Sequence, residues 1–231
     1  MNILITGASR GIGKAIATVF AANGYDLYLS SRNEVALYKA MEELQTRFPA
    51  ITIKAKAFDL SKQAKELGYW ILDAGVEVDI LVNNAGLFEP GNAYDEPEGS
   101  LENQIEINLY SAYHLTRSLI PKMMEKRSGH VFNICSIASL QAYKNGGAYS
   151  ISKFAMDGFN KNLREEMKPH GIKVTGIYPG AAYTDSWSGS GIDPQRIMEA
   201  EDIAAMVYAA ARLSPQATVE DILLRPQLGD L

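Results

Sequence analysis

The chain has 231 residues, of which 47% are hydrophobic and 21% charged, as expected for one globular α/β domain. Its formal net charge of −5 gives no electrostatic reason to expect nucleic acid or an anionic membrane as a partner. A single cysteine, Cys135, excludes an internal disulfide, and three dispersed histidines, interpreted as ordinary helix or surface residues, predict no metal site.

Short apolar runs alternate along the chain with longer helical patterns, and none reaches the length of a membrane span. We predict strand Ile3–Ile5, helix Gly13–Asn23, strand Asp26–Ser30, helix Glu34–Arg47, strand Ile51–Phe58, helix 61–74, strand Ile80–Asn83, helix Leu101–Arg127, strand Val131–Ser136, helix 148–168, strand Lys173–Tyr178, helix 201–213 and strand Val219–Leu224. This alternation predicts one domain over residues 1–231, a Rossmann-type three-layer αβα sandwich with a mainly parallel seven-stranded sheet. Without a charged leader, a cytoplasmic location is expected.

Two segments are predicted to be loops that either cover a ligand or simply connect elements at the surface. Leu87–Ser100 is rich in Gly, Pro and acidic residues, and Ala182–Pro194 contains two glycines. We expect the substrate loop at about 182–200. Trp187 in that loop would either stack on a planar substrate or cap the core.

The first strand runs directly into a glycine-rich segment, Thr6–Gly13, that opens the first helix. Glycines at such a turn allow the backbone to approach a pyrophosphate, and the helix N-terminus favours its negative charge. The spacing is G-x-x-x-G-x-G, which differs from the general dinucleotide fingerprint G-x-G-x-x-G. The predicted contacts in this segment are Gly7, Ser9, Arg10, Gly11, Ile12 and Gly13.

The end of the second strand indicates which dinucleotide is bound. NAD enzymes place an acidic residue about 20 positions after the loop, to bind the adenosine ribose. Here Ser31 and Arg32 occupy that region. The Arg32 guanidinium suits a 2′-phosphate, and Arg10 adds a second cation, so the sequence favours NADP(H) over NAD(H). The alternative is that both arginines are ordinary surface residues.

Tyr149 and Lys153 lie four positions apart in a predicted helix, which places both on one face. A free tyrosine is a poor proton donor or acceptor at neutral pH. A lysine cation nearby favours the phenolate and turns the phenol into a usable acid or base. Taken alone, the pair is also explained as two exposed helix residues.

Over nearly its whole length the sequence resembles the short-chain dehydrogenase/reductase family. The matching pieces occur in the family's order: Thr6–Gly13, Asp59-Leu60, Asn83-Asn84-Ala85-Gly86, Asn108, Ser136, Tyr149-x-x-x-Lys153 and Pro179-Gly180. Ser136 precedes Tyr149 by 13 residues, the spacing typical of the family. The joint order of these motifs is a strong signal, although each of them alone is weak.

The resemblance implies a role for each matching residue. Tyr149 would donate a proton to a carbonyl, Ser136 would hydrogen-bond the carbonyl oxygen, and Lys153 would bind the nicotinamide ribose beside Tyr149. Asn108 would hold a water in a relay from Lys153 to solvent. The other implied cofactor contacts are Asp59 and Leu60 at adenine, Asn83, Ala85 and Gly86 in the cleft, and Pro179, Gly180, Ala182 and Thr184 at the nicotinamide and phosphates.

The resemblance narrows the function to an NADP(H)-dependent oxidoreductase that interconverts a small carbonyl substrate and its alcohol. The chain's ending resembles bacterial sepiapterin-reductase-like members, which would fit a pterin side chain next to Trp187. Two alternatives stay open, a 3-oxoacyl-carrier-protein reductase and a non-catalytic dinucleotide sensor. Family members commonly form homodimers or homotetramers through the helices at 101–127 and 148–168, and the same is expected here.

Overall fold

A computed structural model of the chain describes residues 1–184 and 191–230, so the predicted Trp187 contact lies outside the described residues. The strands are β1 Asn2–Thr6, β2 Asp26–Ser30, β3 Ile53–Ala55, β4 Ile80–Asn83, β5 Gly129–Ile134, β6 Ile172–Pro179 and β7 Asp221–Leu224. They form one sheet in the order β3-β2-β1-β4-β5-β6-β7, and every neighbouring pair is parallel. The predicted fold class is confirmed.

The helices that flank the sheet follow the predicted pattern with one difference. They are α1 Gly11–Ala22, α2 Glu34–Arg47, α3 Leu60–Asp73, α4 Ser100–Ile105, α5 Ser111–Lys126, α6 Gly147–Met167 and α7 Ala200–Ala211. The long helix predicted over 101–127 is divided by a π-helical turn at Glu106–Tyr110. None of the helices in the described ranges has both the length and the apolar content that a membrane span needs.

Two apolar layers cover the two faces of the sheet, because successive side chains of a strand point to opposite faces. Ile3 and Ile5 of β1 pack in a cluster with residues of α1, α2 and α7. Leu4, between them, packs in a second cluster with residues of α3, α5 and α6. The sheet is therefore buried on both faces, which explains why its strands read as continuous apolar runs.

The chain reverses its direction across the sheet between β1 and β4, which lie side by side in its middle. In open parallel sheets this switch point leaves a crevice at the carboxyl ends of the strands, where ligands bind. Thr6, the last residue of β1, holds the two strand ends together here. Its Oγ1 accepts hydrogen bonds of 2.9 Å from the main-chain N–H groups of Asn84 and Ala85.

Candidate active site

A cavity of about 1090 Å³ opens along the carboxyl edge of the sheet. Most residues predicted from the sequence line it: Gly7, Ser9, Arg10, Gly11, Ile12, Ser31, Arg32, Asp59, Leu60, Ala85, Gly86, Ser136, Tyr149, Lys153, Pro179, Gly180, Ala182 and Thr184. Residues from seven separate parts of the sequence thus converge on one site. Three predicted residues, Gly13, Asn83 and Asn108, lie outside the lining.

The glycine-rich loop forms one wall of the cavity and suits an anionic group. Gly7 and Gly11 have φ angles of +65° and +54°, in the left-handed region that disfavours other residues. Arg10 precedes α1 without a side-chain cap, and the first turn of α1 contains no acidic residue. Among the described residues no side chain caps this helix end, and its N–H groups suit a negatively charged ligand.

Gly13 does not line the cavity and instead lies where α1 packs against the glycine-rich loop. A Cβ atom at Gly13 would lie 2.3 Å from the Gly7 carbonyl oxygen and 2.6 Å from Nδ2 of Asn84. Only glycine allows α1 to pack this closely against the loop. Asn84, a residue that the sequence analysis did not single out, lines the cavity, and its Nδ2 donates to the Thr6 and Gly7 carbonyls at 2.9 and 3.2 Å.

Asn83 differs from its predicted place in the cofactor cleft. It is the last residue of β4, is buried, and points into the protein interior. Its Nδ2 donates to Oγ1 of Thr116 at 3.0 Å and to Oδ1 of Asn133 at 2.9 Å. The Asn133 Nδ2 continues this chain of buried polar groups to Oδ1 of Asn160 at 2.9 Å. Asn83 therefore joins β4 to its neighbours, whereas Asn84 lines the cavity.

Cations gather at the end of the cavity formed by β2 and α2. Arg32 and Lys39 line it there, Arg10 of the glycine-rich loop also lines the cavity, and all three are exposed. Asp59, in contrast, uses its Oδ1 to accept hydrogen bonds from the Ser61 N–H and hydroxyl, at 3.2 and 2.8 Å, and so caps α3. This end of the cavity suits a phosphate group, because several cations face it.

Tyr149 and Lys153 lie in the first two turns of α6, with the Lys153 Nζ atom 5.9 Å from the centroid of the Tyr149 ring. The lysine is buried, and its Nζ donates a 2.9 Å hydrogen bond to the carbonyl of Ile134, the last residue of β5. This bond ties α6 to the sheet and holds the ammonium group at the cavity wall.

Ser136 lies two residues beyond β5, whereas the sequence analysis placed it at the end of the strand. It caps a short 3₁₀ turn at Ile137–Ser139, with its Oγ accepting from the Ala138 N–H at 3.1 Å. The hydroxyl lines the cavity and keeps its own proton to donate. A capped turn thus fixes the Ser136 side chain on the same cavity as the Tyr149 phenol.

Asn108 lies behind the cavity, in the π-helical turn. Its Oδ1 accepts from the Leu87 N–H at 2.7 Å, and its Nδ2 donates to the Leu87 carbonyl at 2.9 Å and to Oγ of Ser152 at 2.8 Å. A Cβ atom at Gly86 would lie 3.2 Å from this Oδ1 and 3.7 Å from Nζ of Lys153. The Asn108 side chain therefore fixes the start of the loop that follows β4.

Two aromatic residues that the sequence analysis did not single out flank the Tyr149 phenol. The Phe88 ring lies edge-on to the Tyr149 ring, with 4.8 Å between centroids. Tyr143 also lines the cavity. Desolvation, and then the neighbouring Tyr149, raise the pKa of Tyr143 to about 12. Its phenol is therefore protonated at neutral pH and able to donate a hydrogen bond.

Two other polar groups near the sheet are buried and neutral. Burial raises the pKa of the Cys135 thiol to about 12, so the thiol is not a nucleophile at neutral pH. His130 is a strand residue of β5 and not a surface residue, which corrects the sequence interpretation. Desolvation lowers the pKa of its imidazole to about 3, and Nε2 pairs with Oγ1 of Thr175 at 2.8 Å.

The predicted substrate loop is held at both ends. Ala182 and Met198 form an isolated parallel bridge. The Tyr183 N–H donates to the Met198 carbonyl at 2.7 Å, and the Met198 N–H donates to the Ala181 carbonyl at 3.1 Å. The two ends of this loop therefore meet beside the cavity, before α7 begins at Ala200.

Comparison with known proteins identifies the family to which this architecture belongs. A family model described as short chain dehydrogenase matches residues 1–194. A sepiapterin reductase of Chlorobaculum tepidum is 34% identical over 238 residues, which cover 99% of this chain and 97% of that protein.

Two solved structures share the fold over almost their entire length. An alcohol dehydrogenase of Thermococcus sibiricus, complexed with 5-hydroxy-NADP, has a TM-score of 0.89 and 28% identity, covering 98% of this chain and 96% of its own. A metagenomic short-chain oxidoreductase in complex with NADP has a TM-score of 0.85 and 29% identity, covering 98% and 97%.

The adjacent asparagines Asn83 and Asn84 provide a matched pair of substitutions. We expect Asn83→Ala to lower the free energy of unfolding by about 1–3 kcal/mol, because it leaves buried partners unpaired. Asn84→Ala should instead weaken NADPH binding by roughly ten-fold, because the glycine loop loses two hydrogen bonds. Urea unfolding and titration of NADPH fluorescence measure the two effects. An equal loss of NADPH affinity in both variants would show that Asn83 contacts the cofactor after all.

Proposed function

The chain belongs to the short-chain dehydrogenase/reductase family and is an oxidoreductase, and from this premise we propose that it reduces a small ketone with NADPH, or oxidises the alcohol with NADP⁺. One observation carries the proposal: Ser136, Tyr149 and Lys153 line the same cavity as the glycine-rich loop. A hydride donor and a carbonyl compound bound there would meet within reach of a phenol, a hydroxyl and an ammonium group.

The residues present fit NADP(H). The positive φ angles of Gly7 and Gly11 and the uncapped start of α1 suit a pyrophosphate. Arg10, Arg32 and Lys39 suit the additional 2′-phosphate. When bound, the cofactor supplies or accepts the hydride, and the protein has to orient the reactants and manage one proton.

Three side chains would manage that proton. The Tyr149 phenol donates it to the carbonyl oxygen during reduction, and the buried Lys153 ammonium stabilises the phenolate that remains. The Ser136 hydroxyl donates a hydrogen bond to the same oxygen, where negative charge develops. For Asn108 we propose that its main chain holds the relay water, because its side-chain amide already makes three hydrogen bonds.

Within the class of small carbonyl compounds, we propose a planar or diketone substrate of the sepiapterin type. It is supported by the 34% identity to the Chlorobaculum tepidum sepiapterin reductase and by the aromatic residues beside Tyr149. Phe88 offers a ring to a planar substrate, and the Tyr143 phenol offers a hydrogen-bond donor. A 3-oxoacyl thioester and a non-catalytic dinucleotide sensor remain the alternatives that experiment has to separate.

A homodimer or homotetramer is also proposed. Tyr110 and Tyr113, around the start of α5, and Ile151 and Phe154 on α6 are large apolar residues with exposed fractions between 36% and 45%. Such clustered exposure on two adjacent helices is typical of a surface that another subunit covers.

Tyr149→Phe should lower turnover about 10²- to 10⁴-fold, the usual contribution of a positioned acid, and leave NADPH binding intact. Turnover is measured as the loss of NADPH absorbance. Tyr94→Phe is the control, because Tyr94 is 86% exposed and is not part of the cavity lining, and it should keep wild-type turnover. If Tyr143→Phe were inactive and Tyr149→Phe active, the acid would be Tyr143.

A substrate panel separates the proposed functions. We expect sepiapterin or a simple ketone to be reduced faster than an acetoacetyl thioester by the wild-type protein. Fastest reduction of the thioester would favour the 3-oxoacyl reductase. Binding of NADPH without reduction of any compound would favour the sensor.

Arg32→Ala should raise the KM for NADPH about ten- to a hundred-fold, since one or two charged hydrogen bonds to the 2′-phosphate are lost. The KM for NADH should change little. Arg47→Ala is the control, because Arg47 is the last residue of α2 and is not part of this cavity's lining, and it should leave both values unchanged. A wild-type preference for NADH, or an equal effect of Arg32→Ala on both cofactors, would contradict the assignment.

Phe154→Glu should convert the wild-type oligomer into a smaller species, because it places a charge in the apolar surface of α6. Light scattering coupled to gel filtration gives the masses. Val35→Glu is the control, since Val35 is 80% exposed on α2. A monomeric wild-type protein, or an unchanged mass for Phe154→Glu, would contradict the proposed interface.

A further inference from the structure

Helix α6, which carries Tyr149 and Lys153, has no N-terminal cap of its own. Gly146 occupies the cap position and has no side chain to accept a hydrogen bond. The first intrahelical bond joins the Ser150 N–H to the Gly146 carbonyl at 2.7 Å. The N–H groups of the preceding residues, including Ala148, therefore need acceptors from elsewhere in the chain.

A distant carboxylate supplies one of these acceptors. Oε2 of Glu96, 52 positions earlier in the sequence, accepts a 3.1 Å hydrogen bond from the Ala148 N–H. This is the contact that an N-cap side chain normally makes, and the negative charge also suits the positive end of the helix. Glu96 belongs to the loop between β4 and α4, which the sequence analysis predicted either to cover a ligand or to connect elements at the surface.

Gly147 allows this loop to approach the helix. A Cβ atom at Gly147 would lie 2.5 Å from the Gly91 carbonyl oxygen and 2.6 Å from Oε2 of Glu96. A second bond supports the same junction, since the Gly91 N–H donates to the Asn145 carbonyl at 3.1 Å. The loop is therefore attached to the start of α6 at two points.

The other end of the same loop reaches the reacting groups. Its Leu87 main chain exchanges two hydrogen bonds with the Asn108 side chain, and its Phe88 ring packs edge-on to the Tyr149 ring. The loop thus contacts Tyr149 directly through Phe88. Through Glu96 it also contacts Ala148, the residue before Tyr149 in α6.

We propose that Glu96 is a positioning residue: its carboxylate holds the first turn of α6 against the loop after β4 and so sets the place of the Tyr149 phenol between Phe88 and the carbonyl substrate. This inference rests on the proposed function of Tyr149 as the acid. Positioning of α6 requires a hydrogen-bond acceptor oxygen at residue 96, and not the negative charge alone.

The test compares Glu96→Ala with Glu96→Gln, which keeps an acceptor oxygen. With NADPH and the panel ketone that the wild-type protein reduces fastest, kcat of Glu96→Ala should fall about ten-fold, because a misplaced reacting group slows catalysis steeply. The dissociation constant for NADPH should stay unchanged, and Glu96→Gln should keep most of kcat. Glu98→Ala is the matched control, because Glu98 is an exposed acid of the same loop and should keep wild-type kcat.

Gly147→Ala gives a second, independent variant, since its methyl group pushes the loop away from the helix. It should reproduce the loss of kcat in a protein that still binds NADPH. Normal kcat in Glu96→Ala, or an equal loss in Glu96→Gln and Glu96→Ala, would overturn the proposal.

Amide hydrogen exchange tests the anchoring without any substrate. Exchange at the Ala148 N–H should accelerate in Glu96→Ala but not in Glu98→Ala, and unchanged exchange would overturn the proposal. Because this measurement needs no turnover, it separates a failure of this inference from a failure of the proposed reductase function.

Discussion

The parallel sheet constrains everything else in this protein, because it brings the carboxyl ends of its strands to one edge. β1 delivers the glycine loop there, β4 delivers Asn84, and the segment after β5 delivers Ser136. Helix α6 is attached to that edge by the hydrogen bond from Lys153 to the Ile134 carbonyl. Because Lys153 is buried and bonded to the sheet, its side chain is held in one position, with its charge next to Tyr149.

The cavity divides into two ends with different physical characters. At one end, the glycine loop and the start of α1 offer N–H groups, and the exposed cations near β2 and α2 favour phosphates. Beside Tyr149, aromatic rings and neutral donors form the wall. This division fits a reaction in which a charged cofactor binds at one end and a smaller, less charged carbonyl compound binds at the other, with the hydride passing between them.

The sequence predicted the family, the parallel sheet and most of the residues that line the cavity, because these depend on local patterns of alternation and on motifs of fixed order. It did not distinguish Asn83 from Asn84, since the alternation of side chains at a strand end decides which of two neighbours faces the ligand. The hydrogen bond between Glu96 and Ala148 joins residues 52 positions apart, and no local pattern indicates it. The buried state of His130 likewise depends on the strands packed around it.

We propose that this site transfers hydride to a carbonyl carbon while Tyr149 protonates the oxygen. Reduction of a ketone with NADPH that carries deuterium in the transferable position at C4, followed by mass spectrometry of the alcohol, tests it most directly. We expect one deuterium on the carbinol carbon of the product, and none on that carbon when unlabelled NADPH is used in D₂O. An alcohol without deuterium from the labelled cofactor would contradict it.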